Sequence, residues 1–466
     1  MSDSNSSELK ILSLNVWGLA FISKLRAPRF AAIANYLRES DYDVVCLQEI
    51  WIHEEFVQFR DDVQGVLPYS RFYHTGALGS GLAVFSRLPF LEAHALPYNL
   101  SGRPSEVIAG DFFVNKAAAR AVLDHPTLGP IEVWDTHMHA AGEGGPETRQ
   151  THRITQAWQL ATEVRGSAAR GHWVFVMGDF NSQPFSLPIS LLRTYGGLTD
   201  SFLETHPHAN DPAPVGLQAA QALTTLGVTC DSPLNSWSHG KPIPAGIAAQ
   251  GGKRLDYIFY RGPTGAHRVH CAESKVVLDS LVPGENFSYS DHFGLTSTFK
   301  IDAAAPEGEG SAGPRGHDEP MTPKTHYSAT APLLSLDAED SHVPPSPTSA
   351  YELARAHSSG ATASAIRAAV TNIKAYTREA ASYGTKLTLL VPLAIVIALG
   401  LTIGSAWQPK PWIQPIFTLV AFVVGAAGAT FLYIGWLWTR WERGYLDEFV
   451  SEMELELAVL HRRGED

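Results

Sequence analysis

The chain has 466 residues, room for two or three domains, and carries a formal net charge of −12 with 18% charged residues. An acidic total argues against a nucleic-acid partner, which asks for a basic face. Three cysteines, Cys46, Cys230 and Cys271, without C-x-x-C spacing argue against a thiolate metal site and suit a reducing compartment, and the polar stretch 1–10 argues against a secretory signal.

Residues 10–14 read as a short apolar strand that delivers Asn15, and Trp17-Gly18 as a turn. Residues 28–39 carry Phe30, Ile33, Ala34 and Leu37 at helical spacing. Residues 43–47 form the next strand and deliver Gln48 and Glu49. Gly79-Ser80-Gly81 opens a strand over 82–85. Residues 106–124 read as two strands joined around Asn115-Lys116. Residues 131–136 deliver His137, and 147–164 is a long helix with Ile154, Ala157, Trp158 and Ala161 on one face. The apolar run 173–177 leads into Gly178-Asp179-Phe180-Asn181 and reads as a buried strand closed by a turn. Asp179 and Asn181, two residues apart, would then face the same way. Residues 187–194 form a short helix, 254–260 a strand with Asp256 near its start, and 276–281 a further strand. Residues 294–299 close the domain. Strands alternating with helices predict an α/β or mixed-sheet domain over residues 1–302.

The composition then changes. Residues 303–350 are rich in Pro, Gly, Ser, Ala and Glu and read as a disordered linker, in which Thr322-Pro323 and Ser346-Pro347 suit proline-directed phosphorylation. Residues 351–385 favour a juxtamembrane helix. Within 386–439, residues 387–407 are uncharged over a bilayer-spanning length, and 411–438 form a second apolar stretch. Gly425, Gly428 and Gly435 offer small faces for helix contact, and tryptophans cluster near the ends. Lys374, Arg378 and Lys386 precede the first stretch, Arg440 and Arg443 follow the second, and only Lys410 lies between. The positive-inside rule predicts a two-pass protein with both termini, and the N-terminal domain, in the cytosol. Residues 440–466 form a cytosolic helix or tail. The basic residues before the first span suit an anionic phospholipid as activator.

Apolar runs ending in Asn15, Glu49, His137, Asp179 and Asp291-His292 set several polar groups at strand mouths. Glu49 and Asn15 are the hard oxygen ligands that Mg²⁺ prefers. His292 is a candidate general base, Asp256 a carboxylate able to set its tautomer, and His137 and Lys116 candidate donors to a phosphate. A metal, a base, an orienting carboxylate and several donors suit in-line attack of water on a phosphodiester. Taken singly, each residue also has a purely structural reading.

Leu14-Asn15-Val16-Trp17-Gly18, Leu47-Gln48-Glu49-Ile50-Trp51, Asp135-Thr136-His137, Gly178-Asp179-Phe180-Asn181, Arg254-Leu255-Asp256-Tyr257 and Ser290-Asp291-His292 follow one another in this order. That order resembles the endonuclease/exonuclease/phosphatase superfamily of magnesium-dependent phosphoesterases, which implies a four-layer α/β/β/α sandwich. Within it, Asn15-Val16-Trp17-Gly18-Leu19 with Ser23-Lys24, Gly79-Ser80-Gly81-Leu82-Ala83-Val84-Phe85-Ser86, Gly110-Asp111-Phe112-Phe113-Val114-Asn115-Lys116 and Thr136-His137-Met138-His139-Ala140 look like the neutral sphingomyelinases and the fungal inositol phosphosphingolipid phospholipases C. The resemblance implies that Glu49 binds Mg²⁺ with Asn15 nearby and Asp291 in support. It implies that Asp179 orients or activates the attacking water and that Asn181 holds a phosphate oxygen. His292 would be the general base, oriented by Asp256, and His137 would stabilise the transition state. Lys116 and Asp111 would form a switch, with Asn115 where Gly is often found. It further implies a membrane-anchored sphingolipid phospholipase C, releasing ceramide and a phosphorylated headgroup. The endoplasmic reticulum is the implied membrane, with mitochondria as the alternative. A nuclease or an inositol-phosphate phosphatase of the same superfamily is the competing expectation.

Overall fold

The computed structural model describes residues 8–107, 110–140, 149–263, 268–302 and 350–464. The expected linker, with its Ser-Pro and Thr-Pro sites, lies outside them. The chain forms two compact units, Met1–Ser101 with Phe113–Ser358, and Gly102–Phe112 with Ser359–Asp466.

Among the described residues, twelve strands build the first unit: β1 (Glu8–Asn15), β2 (Val44–Gln48), β3 (Tyr69–Tyr73), β4 (Leu82–Ser86), β5 (Phe90–Pro97), β6 (Ala117–His125), β7 (Gly129–His137), β8 (Trp173–Asp179), β9 (Thr199–Asp200), β10 (Asp256–Arg261), β11 (Arg268–Val277) and β12 (Gly294–Asp302). They pair into two six-stranded sheets, ordered β11-β12-β1-β2-β4-β3 and β5-β6-β7-β8-β10-β9. Both sheets are mixed. β1 is parallel to β2 and antiparallel to β12, and β8 is parallel to β7 and antiparallel to β10.

Period-two alternation makes the layers. Leu9 and Ile11 of β1 join Val133 of β7 and Met177 of β8 in the core between the sheets. Leu12 and Leu14 point the other way, onto Phe30, Ile33 and Leu37 of the helix Arg26–Arg38 and onto Phe59 of the helix His53–Val63. On the far face, Val174 and Val176 meet Ala157, Leu160, Ala161 and Val164 of the helix Gln150–Ala169 and Leu192 of the helix Leu187–Thr194. Each sheet thus carries helices on its outer face, the expected four-layer sandwich.

Three local expectations change. Residues 106–124 hold one strand, β6, because 111–114 wind into a short helix and Asn115 turns left-handed at φ 53°. Asn, like Gly, adopts that conformation more readily than most residues. The strand expected over 276–281 stops at Val277, where Leu278 takes φ 57°. β3 and β5 had no apolar run to mark them, because they are edge strands whose outer residues stay wet. The start of the helix expected at 147 lies outside the described residues.

The second unit takes in, from Ser359 on, a helix of 55 residues, Ala350–Gly404, then a short connector and a helix Gln414–Leu432 that continues through a widened turn, Tyr433–Trp438, into Thr439–Arg462. The expected juxtamembrane helix and first span are therefore one continuous helix. Two segments, Gly360–Trp407 and Pro411–Arg462, are long and apolar enough to cross a membrane. Their apolar side chains point outwards, as at Leu389, Val396 and Phe422. Gly384 and Gly435 let the two backbones touch: a Cβ on Gly435 would lie 2.8 Å from the Thr388 nitrogen. Gly428 meets Ala394, but Gly425 faces open space and takes no part. In the same unit the Arg103 guanidinium lies over Tyr376 and Tyr383 and 3.3 Å from Glu442, whose Oε1 also accepts from Tyr376.

Candidate active site

Several strands end at one place. His137 closes β7 opposite Asp179, which closes β8, and Asp256 opens β10 opposite Asp179 from the other side. In the sheet that holds β1 and β2, Asn15 closes β1 beside Gln48, and Glu49 follows β2 directly. The Asn15 side chain joins the sheets, its Nδ2 donating to Glu49 Oε1 (3.0 Å) and to Asp179 Oδ2 (3.1 Å). Its Oδ1 accepts from the Trp17 backbone at 3.0 Å. Glu49 sits at φ 63°, a strained setting of the kind that recurs at functional sites.

His292 arrives on the loop before β12. Ser290 Oγ donates to the Asn15 carbonyl (2.6 Å), which fixes that loop to β1. The Nδ1 of His292 is 2.9 Å from Asp256 Oδ2, and its Nε2 is 3.9 Å from Asp179 Oδ2. Asp256 is held in turn, since Thr229 Oγ1 accepts from the backbones of Leu255 and Asp256. His137 Nε2 lies 3.5 Å from Asp179 Oδ2 and 4.0 Å from Glu49 Oε1. The Lys116 ammonium sits 2.9 and 3.0 Å from the two His137 nitrogens. Nearly all of these groups are buried.

Burial, with the charge of Asp291 added, raises the Glu49 carboxyl. Burial also pushes Asp179 up to about 7, against the pull of His292. For His292, burial disfavours the charged ring, yet Cys230, Asp256 and Asp179 together outweigh it and hold the imidazole well above its usual range. Crowded carboxylates that resist ionisation mark a place for positive charge. Glu49 Oε2 is buried and has no hydrogen-bond partner among the described residues, which leaves it open to a cation. The residues present therefore fit a hard divalent ion, with Glu49 Oε2 the unpartnered oxygen on offer to it. The tightest group of ligand-type atoms is a different one, Asp179, Asp256 and His292, all within 4.8 Å of one another. Within it the Nδ1 of His292 is already taken by Asp256.

Residues 12–292 match the Endonuclease/Exonuclease/phosphatase family. An "Inositol phosphosphingolipids phospholipase C" of Schizosaccharomyces pombe is 38% identical over 306 residues, covering 65% of this chain and 70% of that protein. The protein of the same name in Saccharomyces cerevisiae is 32% identical, covering 65% and 66%. "Sphingomyelin phosphodiesterase 2" of Homo sapiens is 29% identical, covering 66% and 68%. The chain belongs to the endonuclease/exonuclease/phosphatase family. Within that family it stands with the inositol phosphosphingolipid phospholipases C and neutral sphingomyelinases.

Against this family frame, Asn15, Glu49, His137, Asp179, Asp256, His292 and Lys116 come together. Asn181 does not face with Asp179. β8 ends at Asp179, Asn181 turns at φ 47°, its N–H donates to Asp179 Oδ1, and its amide donates to the Met138 carbonyl. Asp291 lies 3.6 Å from Lys241. Asp111 falls in the second compact unit and Lys116 in the first. Reasoning from strand ends missed Arg29. It is fully buried and donates to the carbonyls of Val16, Trp17, Lys24 and Tyr289, tying the β1 exit to the loop that carries His292. Burial lowers its pKa to about 10, against the pull of Asp291 and Glu49, so it stays charged at neutral pH. A lone arginine at helical spacing gives no such signal.

Proposed function

We propose that this chain is a Mg²⁺-dependent phospholipase C anchored in a membrane, cleaving sphingolipids into ceramide and a phosphorylated headgroup. The observation that carries the reading is the Asp256–His292 pair, 2.9 Å apart, with the other ring nitrogen turned towards Asp179. The relatives' names supply the substrate class.

Asp179 orients a water by accepting its hydrogen bond. His292 Nε2 takes the water's proton while Nδ1–H donates to Asp256. The hydroxide attacks phosphorus, the bond from phosphorus to the ceramide oxygen breaks, and that oxygen takes a proton from bulk water while His292 returns its own to solvent. His137 and Lys116 face the charge that builds on the phosphoryl oxygens, and Asn181 would join them only through the amide hydrogen that Met138 does not take. Glu49, with Asn15 and Asp291 in support, would hold the divalent ion, which would supply positive charge to neutralise the phosphate. Asn15 now offers N–H to both carboxylates, so it would present Oδ1 to such an ion only with its amide turned over.

The apolar helices would span the bilayer, with Lys374, Arg378 and Lys386 on the cytosolic side where anionic phospholipid activates the enzyme. The reading places it in the endoplasmic reticulum, holding the catalytic unit on the cytosolic face. Headgroup release is the test. Full-length protein in mixed micelles should release headgroup from sphingomyelin or inositol phosphorylceramide with Mg²⁺, and stop with chelator. Release from neither lipid, with Mg²⁺ and phosphatidylserine present, would remove the sphingolipid reading and send the protein to nucleic-acid and inositol-phosphate assays.

A further inference from the structure

Trp51 stands two residues after Glu49, at the rim of the cluster, and has no role in the chemistry above. Its six-membered ring lies flat against Gly81. A Cβ on Gly81 would sit 2.9 Å from both Cε3 and Cζ3 of the indole, and Gly81 itself needs φ +68°. The backbone bond from Ile50 N–H to the Gly81 carbonyl (3.0 Å) closes this seat. Only a glycine there leaves room for the ring. From the seat, the ring centroid is 6.5 Å from that of His137 and 5.8 Å from the Lys116 ammonium. Lys116 is buried, 2% exposed, and meets His137 at its tip. The indole N–H is buried and has no hydrogen-bond partner among the described residues. The ring is therefore held for its face and not for its donor.

We propose that Trp51 is a positioning residue that holds the Lys116 ammonium against His137, through the attraction of a cation for an aromatic face and by closing the route along which the side chain would swing out to water. A buried ammonium on a flexible four-carbon stem needs such a wall, because rotamer freedom and hydration both favour its escape. A desolvated cation over an indole is held more firmly than one over a phenyl ring, and an aliphatic side chain offers no such attraction. The assignment of Lys116 to phosphate stabilisation rests on the proposed phosphodiesterase chemistry. The contact between Trp51 and Lys116 does not.

Two measurements on full-length protein in detergent micelles test it. The first is independent of substrate. Reductive dimethylation with formaldehyde and borohydride, read by peptide mass spectrometry, should leave Lys116 protected in the wild type and in Trp51→Phe and should modify it in Trp51→Leu. Equal protection in all three would overturn the proposal. The second is a double-mutant cycle on headgroup release. Trp51→Leu should lower kcat about tenfold with KM within about twofold, and Trp51→Phe should recover part of the loss. In a Lys116→Met background, Trp51→Leu should add nothing. A loss that adds in full to that of Lys116→Met, or an unchanged kcat in Trp51→Leu, would also overturn it. A wild type inactive on every lipid would sink the sphingolipid reading and leave the dimethylation result to decide on Trp51.

Discussion

Glu49 carries the burden of the metal reading because one of its oxygens is buried without a partner among the described residues and the other accepts from Asn15. Glu49→Gln should raise the Mg²⁺ dissociation constant, read by calorimetry, by at least about tenfold and should abolish Mg²⁺-dependent turnover. Retained Mg²⁺ affinity would move the ion elsewhere. In the proposed mechanism Asp256 acts through His292, so Asp256→Asn should lower kcat by about 10² to 10⁴ with little change in KM, as expected when a base loses its orienting carboxylate. Far from the site, fully buried Glu132 accepts from Arg120, Ser167 and His172. Burial pushes its pKa up, but these donors win and bring it down to about 2, below the ordinary 4.5. A folded-state pKa below the unfolded one stabilises above the unfolded value. That stability, about 3 kcal/mol for a shift of this size, should therefore be present above pH 4.5 and fade as pH falls towards 2. Denaturant titrations from pH 6 to 2.5 should show the loss in the wild type and a flatter profile in Glu132→Gln.

Elements bring these residues together through close backbone approach. Gly178 pairs with Thr136 across β7 and β8, and a Cβ there would lie 1.9 Å from the Thr136 carbonyl oxygen at φ +137°. Gly178→Ala should part the two strands that end in His137 and Asp179, costing about 3 kcal/mol in denaturant titrations. Gly18 is different. A methyl there would reach to 2.2 Å of the Glu49 carbonyl, in the turn after β1 and outside any strand ladder. Gly18→Ala should displace Glu49 and weaken Mg²⁺ affinity while changing thermal stability far less than Gly178→Ala does. Equal stability losses in the two variants would show that the turn is part of the core and not a positioning device.

At the scale of the whole molecule, the helical unit has the composition of a membrane anchor, with 6% of each apolar window buried. Carbonate-washed membranes should retain the full chain and release a chain ending at residue 349. Lys374, Arg378 and Lys386 are exposed, and Lys374 pairs with Glu454 at 2.6 Å, a surface bridge too weak to compete with a charged bilayer. Replacing all three by Gln should blunt activation by phosphatidylserine while leaving turnover in neutral micelles unchanged. Undiminished activation would place the lipid contact elsewhere.

The sequence alone determined what local patterning can carry. Near-continuous apolar runs marked β1, β2, β4, β7 and β8, because each is buried on both faces and its apolar residues have no other place to go. Polar residues ending such runs marked Asn15, Glu49, His137 and Asp179, since a charge at a strand's mouth is costly unless it is used. Two long uncharged stretches marked the apolar helices. Edge strands β3 and β5 left no such mark, because one side of an edge is wet and its residues look like loop. Only the tertiary structure decided which polar ends meet. Asn15 bridges sheets that lie 164 residues apart in sequence at Asp179, and Ser290 closes on the Asn15 carbonyl across 275. It also decided that Asn181 turns aside to Met138, that Arg29 ties two loops together, and that Trp51 lies over a glycine beside Lys116. Those are facts of packing between distant segments, and no local period encodes them.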